Sequence, residues 1–234
     1  MANNPFGTQY KKFSQKKFRM FFPSLAKRCS VSVRTGKLSN TSSIGKVAKM
    51  FRSEVLEKNQ KFNFYAFGDN LIGRTIKAFS IAQNSEFDNA ITQLPKDHKL
   101  QFIALHYETP SKRRSEIPSI RFVISSGTRQ AKDNLKETIL KISSTTISDD
   151  LAARIHHLYL NQAKDSFILR CVGDNQASIV VQALAKFNEH VDSHKLSAWI
   201  SNELIHDTRK VEGRMLRVIQ FNIDVVGKDL VFTP

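Results

Sequence analysis

A Gly-Asp-Asn tripeptide occurs twice in the chain, each time between an apolar run typical of a β-strand and an apolar pattern typical of a helix. The two copies begin at Gly68 and Gly173, 105 residues apart. Apolar positions beside them match at the same spacing, as Phe64 and Leu169 do. A repeated order of elements with matching apolar positions indicates that the fold arose by duplication.

One interpretation of Gly-Asp-Asn is a phosphate-binding loop, because backbone N–H groups at a helix N-terminus attract anions. Neither copy continues into the Gly-Lys-Ser/Thr of a P-loop, and the carboxylate disfavours phosphate. Glycine permits a tight turn out of a strand, and Asp or Asn can cap the helix that follows. We therefore predict a structural turn, used twice, in which Asp or Asn caps the helix that follows, as Asp69 or Asn70 would after Gly68.

Apolar periodicity predicts the elements of both halves. The first half is expected to run strand-helix-strand-helix-strand-strand, with its first strand over residues 29–35 and its first helix from Ser42 or Ser43 to Asn59. The second half is expected to lack a clear first strand. Helices are predicted over 128–142 and, capped by Ser148, over 148–163, and either can be the first helix of this half. Lys195-Leu196 aligns with Lys99-Leu100 after a contraction of nine residues.

The net charge of the whole chain is +15, and the positive charge is concentrated in its N-terminal part. Residues 1–53 contain 12 of the 36 basic residues and none of the 21 acidic ones. This asymmetry indicates a polyanionic partner: nucleic acid, an anionic membrane or an import apparatus. Residues 1–28 form a basic arm with interleaved aromatic residues, which fits a disordered tail, an organellar transit peptide or a nucleic-acid-binding arm.

Cysteine and histidine usage gives no sign of a metal site or disulfide framework. Cys29 and Cys171 are far apart, which suits a reducing, intracellular compartment. The pair His190 and His194 lacks the glutamate of a metalloprotease helix. There is no nucleophile motif and no apolar run of membrane-spanning length. We expect no enzyme activity, cofactor or membrane span.

Two basic connections, "PSKRRSE" and "DTRKVEGR", lie between apolar strands at expected hairpin tips. Arginine can bind phosphate through two hydrogen bonds, and neighbouring lysine adds charge. A solvated turn would account for one such connection. The same sign at both equivalent tips, together with the basic arm, favours nucleic-acid binding.

The element order, with its basic last hairpin, resembles the Alba family of small nucleic-acid-binding proteins. The local matches are Gly36-Lys37 ahead of the first helix and "GDNLIGRTIKAF" at the start of the second. The C-terminal domain of translation initiation factor three has a similar order. The resemblance implies an α+β fold of two related β-α-β-α-β-β modules, the second lacking a clear first strand.

In that family, basic residues ahead of the first helix and along the last hairpin contact DNA or RNA. The resemblance and the arm together predict twelve nucleic-acid contacts: Lys11, Lys12, Lys16, Lys17, Arg19, Lys37, Lys46, Lys112, Arg113, Arg114, Arg209 and Lys210.

We expect four parts: the arm at 1–28, a first module at 29–126, a connecting helix at 127–145 and a second module at 146–234. The two modules pair as an internal pseudo-dimer, or the chain forms a homodimer.

The expected function is non-catalytic nucleic-acid binding, with RNA favoured because the aromatic rings of the arm suit unstacked bases. A protein of a ribonucleoprotein such as an organellar ribosome fits, with further protein partners and a mitochondrial location. The alternatives are a DNA-coating architectural protein or viral nucleoprotein, and a structural assembly protein whose basic tail is a targeting sequence. For these, a cytoplasmic or nuclear location stays open.

Overall fold

The order strand-helix-strand-helix-strand-strand occurs twice in the chain. A computed structural model describes residues 34–83, 98–108, 117–128, 138–162, 165–211 and 214–227, all within one compact unit. The first half contains β1 (Arg34–Lys37), α1 (Ile44–Phe51), β2 (Phe62–Phe67), α2 (Asp69–Gln83), β3 (His98–His106) and β4 (Ser119–Thr128). The second half contains β5 (Ile139–Lys141), α3 (Ser148–Gln162), β6 (Ser166–Cys171), α4 (Asp174–Asp192), β7 (Leu196–Val211) and β8 (Arg214–Gly227).

All eight strands form one sheet in the order β1-β2-β4-β3-β7-β8-β6-β5. Each half contributes the same internal order, and the halves meet where β3 pairs antiparallel with β7. The two halves therefore pair with each other as an internal pseudo-dimer. The mixture of helices and sheet agrees with the α+β class expected from the sequence.

The predicted helix over 128–142 is wrong at its C-terminal end. Residues Ile139–Lys141 form β5, which pairs in parallel with β6. Only Leu140 of these three is buried, so the segment alternates as a strand does. A strand of three residues is too short for periodicity to reveal. Ile139 and Ile142 are three residues apart, a spacing that is also typical of one face of a helix. The second half therefore has the first strand that we had not found in its sequence.

The first strand also differs from its prediction, which ended it before Gly36. In the structure β1 includes Gly36. A Cβ there would lie 2.8 Å from the ring of Phe62 and 3.0 Å from that of Phe64. Glycine is thus used inside the strand for close packing rather than to end it. Residues 29–33 lie outside the described residues.

The predicted connection after β7 is largely strand. β7 continues to Val211 and β8 begins at Arg214, so only two residues separate them. The part of β8 that precedes Ile219 does not pair with β6. It pairs with β7, from Arg214 opposite Val211 to Val218 opposite Ile205. Backbone hydrogen bonds between two strands continue the hairpin here, and these do not require the apolar alternation on which the prediction relied.

The strand register corrects our alignment of the halves. Phe102 pairs with Ile200, 98 residues later, at the centre of the sheet. The same offset relates Leu100 to Ala198, which occupy equivalent places opposite β4 and β8. The contraction is therefore seven residues instead of nine. Leu196 had been matched to Leu100 because both are apolar and follow a lysine.

The core lies between the helices and one face of the sheet. In the first half it contains a column of aromatic rings, in which Phe79 stacks on Phe51 at 4.4 Å and on Phe102 at 4.7 Å between centroids. Apolar periodicity predicts an inner face for each of the helices α1 to α4, and these faces are confirmed, with Ile44 only partly buried. The buried members are Val47, Ala48, Phe51, Val55, Ile72, Ile76, Phe79, Ala82, Leu151, Ile155, Leu158, Val180, Leu184, Phe187 and Val191.

Both Gly-Asp-Asn segments form the predicted strand-to-helix turns. Gly68 has φ +86° and Gly173 has φ +94°, a region that favours glycine. The glycine carbonyls accept the first helical hydrogen bonds, so glycine occupies the N-cap position. The predicted capping by Asp or Asn is wrong for α4, whose N-cap is Gly173 and has no side-chain cap bond.

Asp69 has another role, which is to join the two halves. Its Oδ1 accepts hydrogen bonds from Ser178 Oγ at 2.8 Å and Gln182 Nε2 at 2.6 Å, both on α4. In return, Gly73 of α2 packs against Asp174, where a Cβ would lie 2.3 Å from the carbonyl oxygen. Asp69 is equivalent to Asp174 and Gly73 to Ser178, so the contact is isologous, as in a twofold dimer.

Candidate nucleic-acid interface

The structure describes four of the twelve predicted contacts. It shows the side chains of Lys37 and Lys46 and the backbone of Arg209 and Lys210. The other predicted contacts lie outside the described residues: Lys11, Lys12, Lys16, Lys17, Arg19, Lys112, Arg113 and Arg114.

Lys37 is the last residue of β1 and lies opposite Tyr65 of β2. Since Gly36 faces the core and side chains alternate along a strand, Lys37 projects from the sheet face opposite the helices. Its exposed side chain places Nζ 4.8 Å from the ring centroid of Phe67, a cation–π contact. Lys37 therefore lies on the sheet face opposite the helices, which we call the open face.

A turn rich in hydroxyl groups connects Lys37 to α1. The amide of Ser39 donates to Ser42 Oγ at 3.2 Å, and the hydroxyl of Ser39 lies 2.8 Å from the same atom. Arg74 of α2 holds the turn by donating to the carbonyls of Asn40 at 3.0 Å and Ser42 at 2.7 Å. The segment between Lys37 and Lys46 is thus fixed by the fold.

The second half contains the same turn, which we had missed in the sequence. The amide of Ser143 donates to Thr146 Oγ1 at 3.2 Å, and the preceding Lys141 occupies the place of Lys37 beside its neighbouring strand. The signal was "KLSNTS" against "KISSTT", at a spacing of 104 residues. The match is hard to see because Lys141 and Ile142 fall within the predicted helix over 128–142, and because the spacing differs by one from 105.

Cations of the first half remain uncompensated around α1. Lys46 and Lys49 are exposed, and neither forms an ion pair with another described residue. A cation in the first turn, as Lys46 is, works against the helix dipole and so does not stabilise the helix. The position equivalent to Lys46 is Asp150, and the adjacent Asp149 pairs with Lys186.

Charge counts show the same asymmetry between the halves. Residues 34–83 contain nine Lys and Arg against three Asp and Glu, whereas the equivalent residues 138–188 contain five against four. Some first-half cations are paired: Glu54 binds Arg34 at 2.9 Å and Lys58 at 2.7 Å. The hydrogen bond from Lys58 lowers the pKa of Glu54. The remaining positive charge makes the first half the more favourable side for a polyanion.

A shallow cleft on the open face adjoins Lys37. Its volume is about 300 Å³, and its aromatic members are Tyr65, Phe67 and Tyr107. The ring of Tyr107 packs edge to face against Tyr65 at 4.8 Å and against Phe67 at 6.1 Å between centroids. We name the set Thr35, Gly36, Lys37, Tyr65, Phe67 and Tyr107 the aromatic cleft.

Sequence reasoning missed the aromatic cleft because its members come from three strands or strand ends. One signal was present: β2 carries aromatic residues on both faces, with Phe62 and Phe64 buried and Tyr65 and Phe67 partly exposed. A strand that only covers a core would alternate apolar with polar residues.

The equivalent face of the second half carries a network of polar side chains bonded to one another, with the apolar Val172 and Ile205 nearby. Arg170 Nε donates to Gln220 Oε1 at 2.7 Å, and Gln220 Nε2 donates to Glu203 Oε1 at 2.8 Å and to Asn222 Oδ1 at 3.1 Å. Arg170 takes the place of Tyr65. The two halves have the same backbone fold, but their side chains on the open face differ: aromatic in the first half and largely hydrogen-bonded polar groups around Arg170 in the second.

The β7–β8 hairpin carries the predicted contacts Arg209 and Lys210 near the end of β7. Lys210 pairs with Met215, and a register irregularity separates it from His206. Arg214 and Arg217 of β8 lie in the same stretch of the sequence. The hairpin is therefore basic along both strands near its tip.

The described residues include no group of three or more His, Cys, Asp and Glu that could hold a metal ion. His156 and His190, which the sequence did not bring together, lie 5.6 Å apart between ring centroids. Cys171 is buried, and burial, reinforced by the charge of Asp174, raises the pKa of its thiol to about 12. Across the described ranges, no helix is long and apolar enough to cross a membrane.

Comparison with known proteins provides no relative: the chain matches no protein-family model and no curated protein sequence.

Proposed function

We propose that the protein binds nucleic acid without catalysis, with RNA favoured over DNA, as a component of a ribonucleoprotein such as an organellar ribosome. The observation that carries this proposal is the uncompensated positive charge that the fold holds around Lys37 and the start of α1. Lysines that neither stabilise a helix nor pair with a described acid are available to phosphates.

The arrangement of the two halves supports the same proposal. We interpret them as two Alba-like modules, since each runs β-α-β-α-β-β and the two share one sheet. The resemblance implies contacts ahead of the first helix and along the last hairpin. Lys37 precedes the hydroxyl-rich turn and Lys46 follows it in the first turn of α1. Arg209 and Lys210 lie on the last hairpin.

The proposed mechanism is phosphate contact by positioned cations, with little reading of base sequence. Arg74 holds the turn that separates Lys37 from Lys46, so the charges are presented without ordering a loop on binding. Since the first half carries most of the excess charge of the described body, it is the principal contact surface and the hairpin of the second half extends it.

A variant that neutralises Lys37, Lys46, Arg209 and Lys210 to alanine tests the proposal. We expect its affinity for a single-stranded RNA of about 20 nucleotides to fall roughly tenfold to a hundredfold at about 0.1 M salt. The slope of log affinity against log salt should become shallower by up to about 3, because each lost phosphate contact removes about 0.7. Fluorescence anisotropy over a salt series measures both quantities.

A matched control neutralises Lys58, Lys77, Arg154 and Lys195, which removes the same net charge from other exposed positions. The control should retain most of the affinity and slope. Equal losses in both variants would show that only net charge matters, and unchanged binding in the first would refute the proposed surface. Tighter binding to duplex DNA than to RNA would favour the DNA-coating alternative, and no binding to either would favour the assembly protein.

A further inference from the structure

The aromatic cleft differs from the rest of the candidate interface because it offers ring surface as well as charge. Tyr65, Phe67 and Tyr107 are each only partly buried, and they lie on the sheet face whose second half carries the Arg170, Gln220 and Glu203 network. Single exposed aromatic residues are common on protein surfaces, whereas three in mutual contact around a cavity form a local apolar patch.

The duplicated fold provides an internal comparison for these rings. The positions equivalent to Tyr65, Phe67 and Tyr107 are Arg170, Val172 and Ile205, none of which is aromatic. The second half forms the same sheet without them. The rings are therefore not required by the fold at these positions, and a ligand that uses ring surface accounts for them.

The charge beside the rings indicates what that ligand carries. Lys37 Nζ lies 4.8 Å from the centroid of Phe67, at one side of the cleft. Arg121 of β4 pairs with Tyr65 across the strands, which places the two side chains on one face of the sheet. Arg121 adds positive charge beside Tyr65, but its Nε is buried and Arg121 is not among the residues that line the cleft. A ligand with a flat ring, hydrogen-bond acceptors and negative charge complements this set.

We propose that the aromatic cleft binds an unpaired base of a single-stranded nucleic acid. The base stacks on one of the rings of Tyr65 and Tyr107 and contacts the other edge to face, and Lys37 binds the adjoining phosphate. This inference rests on the proposed function and adds to it a site that requires bases to be free of a duplex. Stacking on protein rings tolerates any base, so the cleft adds affinity for single strands without sequence preference.

The geometry of the cleft suits one base more than a longer stack. Its volume of about 300 Å³ lies at the lower end of the range for small-molecule sites. The edge-to-face contacts hold Tyr107 against both neighbouring rings, so little side-chain freedom remains to be lost when a base enters. Phosphates on either side of the bound base can then contact neighbouring cations such as Lys46.

The test compares two oligonucleotides of ten positions, one carrying bases throughout and the other abasic, by fluorescence anisotropy on the full chain. Wild type should bind the oligonucleotide with bases more tightly. Tyr65→Leu and Tyr107→Leu keep apolar volume but remove the ring, and each should weaken binding of that oligonucleotide roughly fivefold to 150-fold. Binding of the abasic strand should change little, and Tyr107→Phe should restore affinity.

Tyr159→Leu is the matched control, since Tyr159 is a partly buried tyrosine of α3 that packs on Phe187 at 5.9 Å, away from the cleft. It should leave both affinities unchanged. A second measurement does not depend on variants: an oligonucleotide carrying 5-iodouracil should photo-crosslink to peptides that contain Tyr65 or Tyr107.

The outcomes separate this inference from the proposed function. Binding that is equal for the two oligonucleotides and insensitive to Tyr65→Leu and Tyr107→Leu, with crosslinks only elsewhere, overturns the cleft but leaves phosphate binding intact. Absence of wild-type binding to every nucleic acid overturns both.

Discussion

Neighbouring residues of the chain can have separate roles, one in core packing and the next on the protein surface. Gly36 makes room for two core rings, and the next residue, Lys37, points the opposite way into the aromatic cleft. Asp69 begins a helix but bonds to the other half of the molecule. The residue types were visible in the sequence, whereas their partners lie on other elements, and those of Asp69 are more than 100 residues away.

Cys171 gives a prediction at the residue scale. With a pKa of about 12, only about one thiol in ten thousand is ionised at pH 8, and the thiolate is the reactive form. In a Cys29→Ser variant, which leaves Cys171 as the one cysteine, we expect iodoacetamide to modify the native protein at least about a thousandfold more slowly than the urea-unfolded protein. Mass spectrometry over time measures both rates.

The same pKa sets a direction for stability against pH. The thiol pKa is higher in the folded protein than its ordinary value of 9.0, so the neutral form is favoured by folding. The contribution of Cys171 is present below pH 9 and is lost as pH rises from 9 towards 12. Native-state labelling as fast as labelling in urea would contradict the buried, neutral thiol.

At the scale of elements, the long helices were predictable and the short or unusual strands were not. Inner-face residues of α2, α3 and α4 follow from a period of 3.6, which persists over 15 to 19 residues. β5 has three residues and the last part of β7 is basic, so neither shows a strand period. Both are strands because a neighbour supplies the hydrogen bonds, which periodicity cannot detect.

The contact between α2 and α4 gives a prediction for Gly73. Alanine there would place its Cβ 2.3 Å from the carbonyl oxygen of Asp174, a backbone atom that cannot turn aside. We expect Gly73→Ala to lower the free energy of unfolding by about 1–3 kcal/mol, measured by urea denaturation.

Gly45→Ala is the matched control, because Gly45 is an exposed residue of α1 whose nearest neighbour would be Ser43 Oγ at 3.9 Å. It should stabilise the protein by about 0.5–1 kcal/mol, since alanine favours helix. If the two variants have the same effect, the close approach of α2 to α4 is wrong.

At the scale of the whole described body, two equivalent halves join in one sheet. The equivalent amides Gln83 and Asn188 each bond across the junction, Gln83 to the carbonyl of Asn202 and Asn188 to that of Ala104. The sheet continues through the junction and the buried residues form one cluster. The halves therefore depend on each other for stability, while only the first carries the aromatic cleft.

Mutual dependence of the halves predicts a single cooperative unfolding transition. Trp199, the one tryptophan of the chain, lies on β7 of the second half and reports on that half by fluorescence. We expect its transition to coincide with that of far-UV circular dichroism, and Phe51→Ala in the first half to shift both by the same amount. A fluorescence transition that ignores Phe51→Ala would show that the halves unfold separately.

The sequence by itself determined the duplication, the α+β class, the inner faces of the long helices and the uneven distribution of charge. These properties depend on local periodicity and composition, which are written into consecutive residues. Only the tertiary structure decided the register of the halves, the existence of β5, the equivalence of Lys37 and Lys141, and the aromatic cleft. Each of these arises where strands distant in the chain become neighbours, because a β-sheet brings together side chains that no local pattern relates.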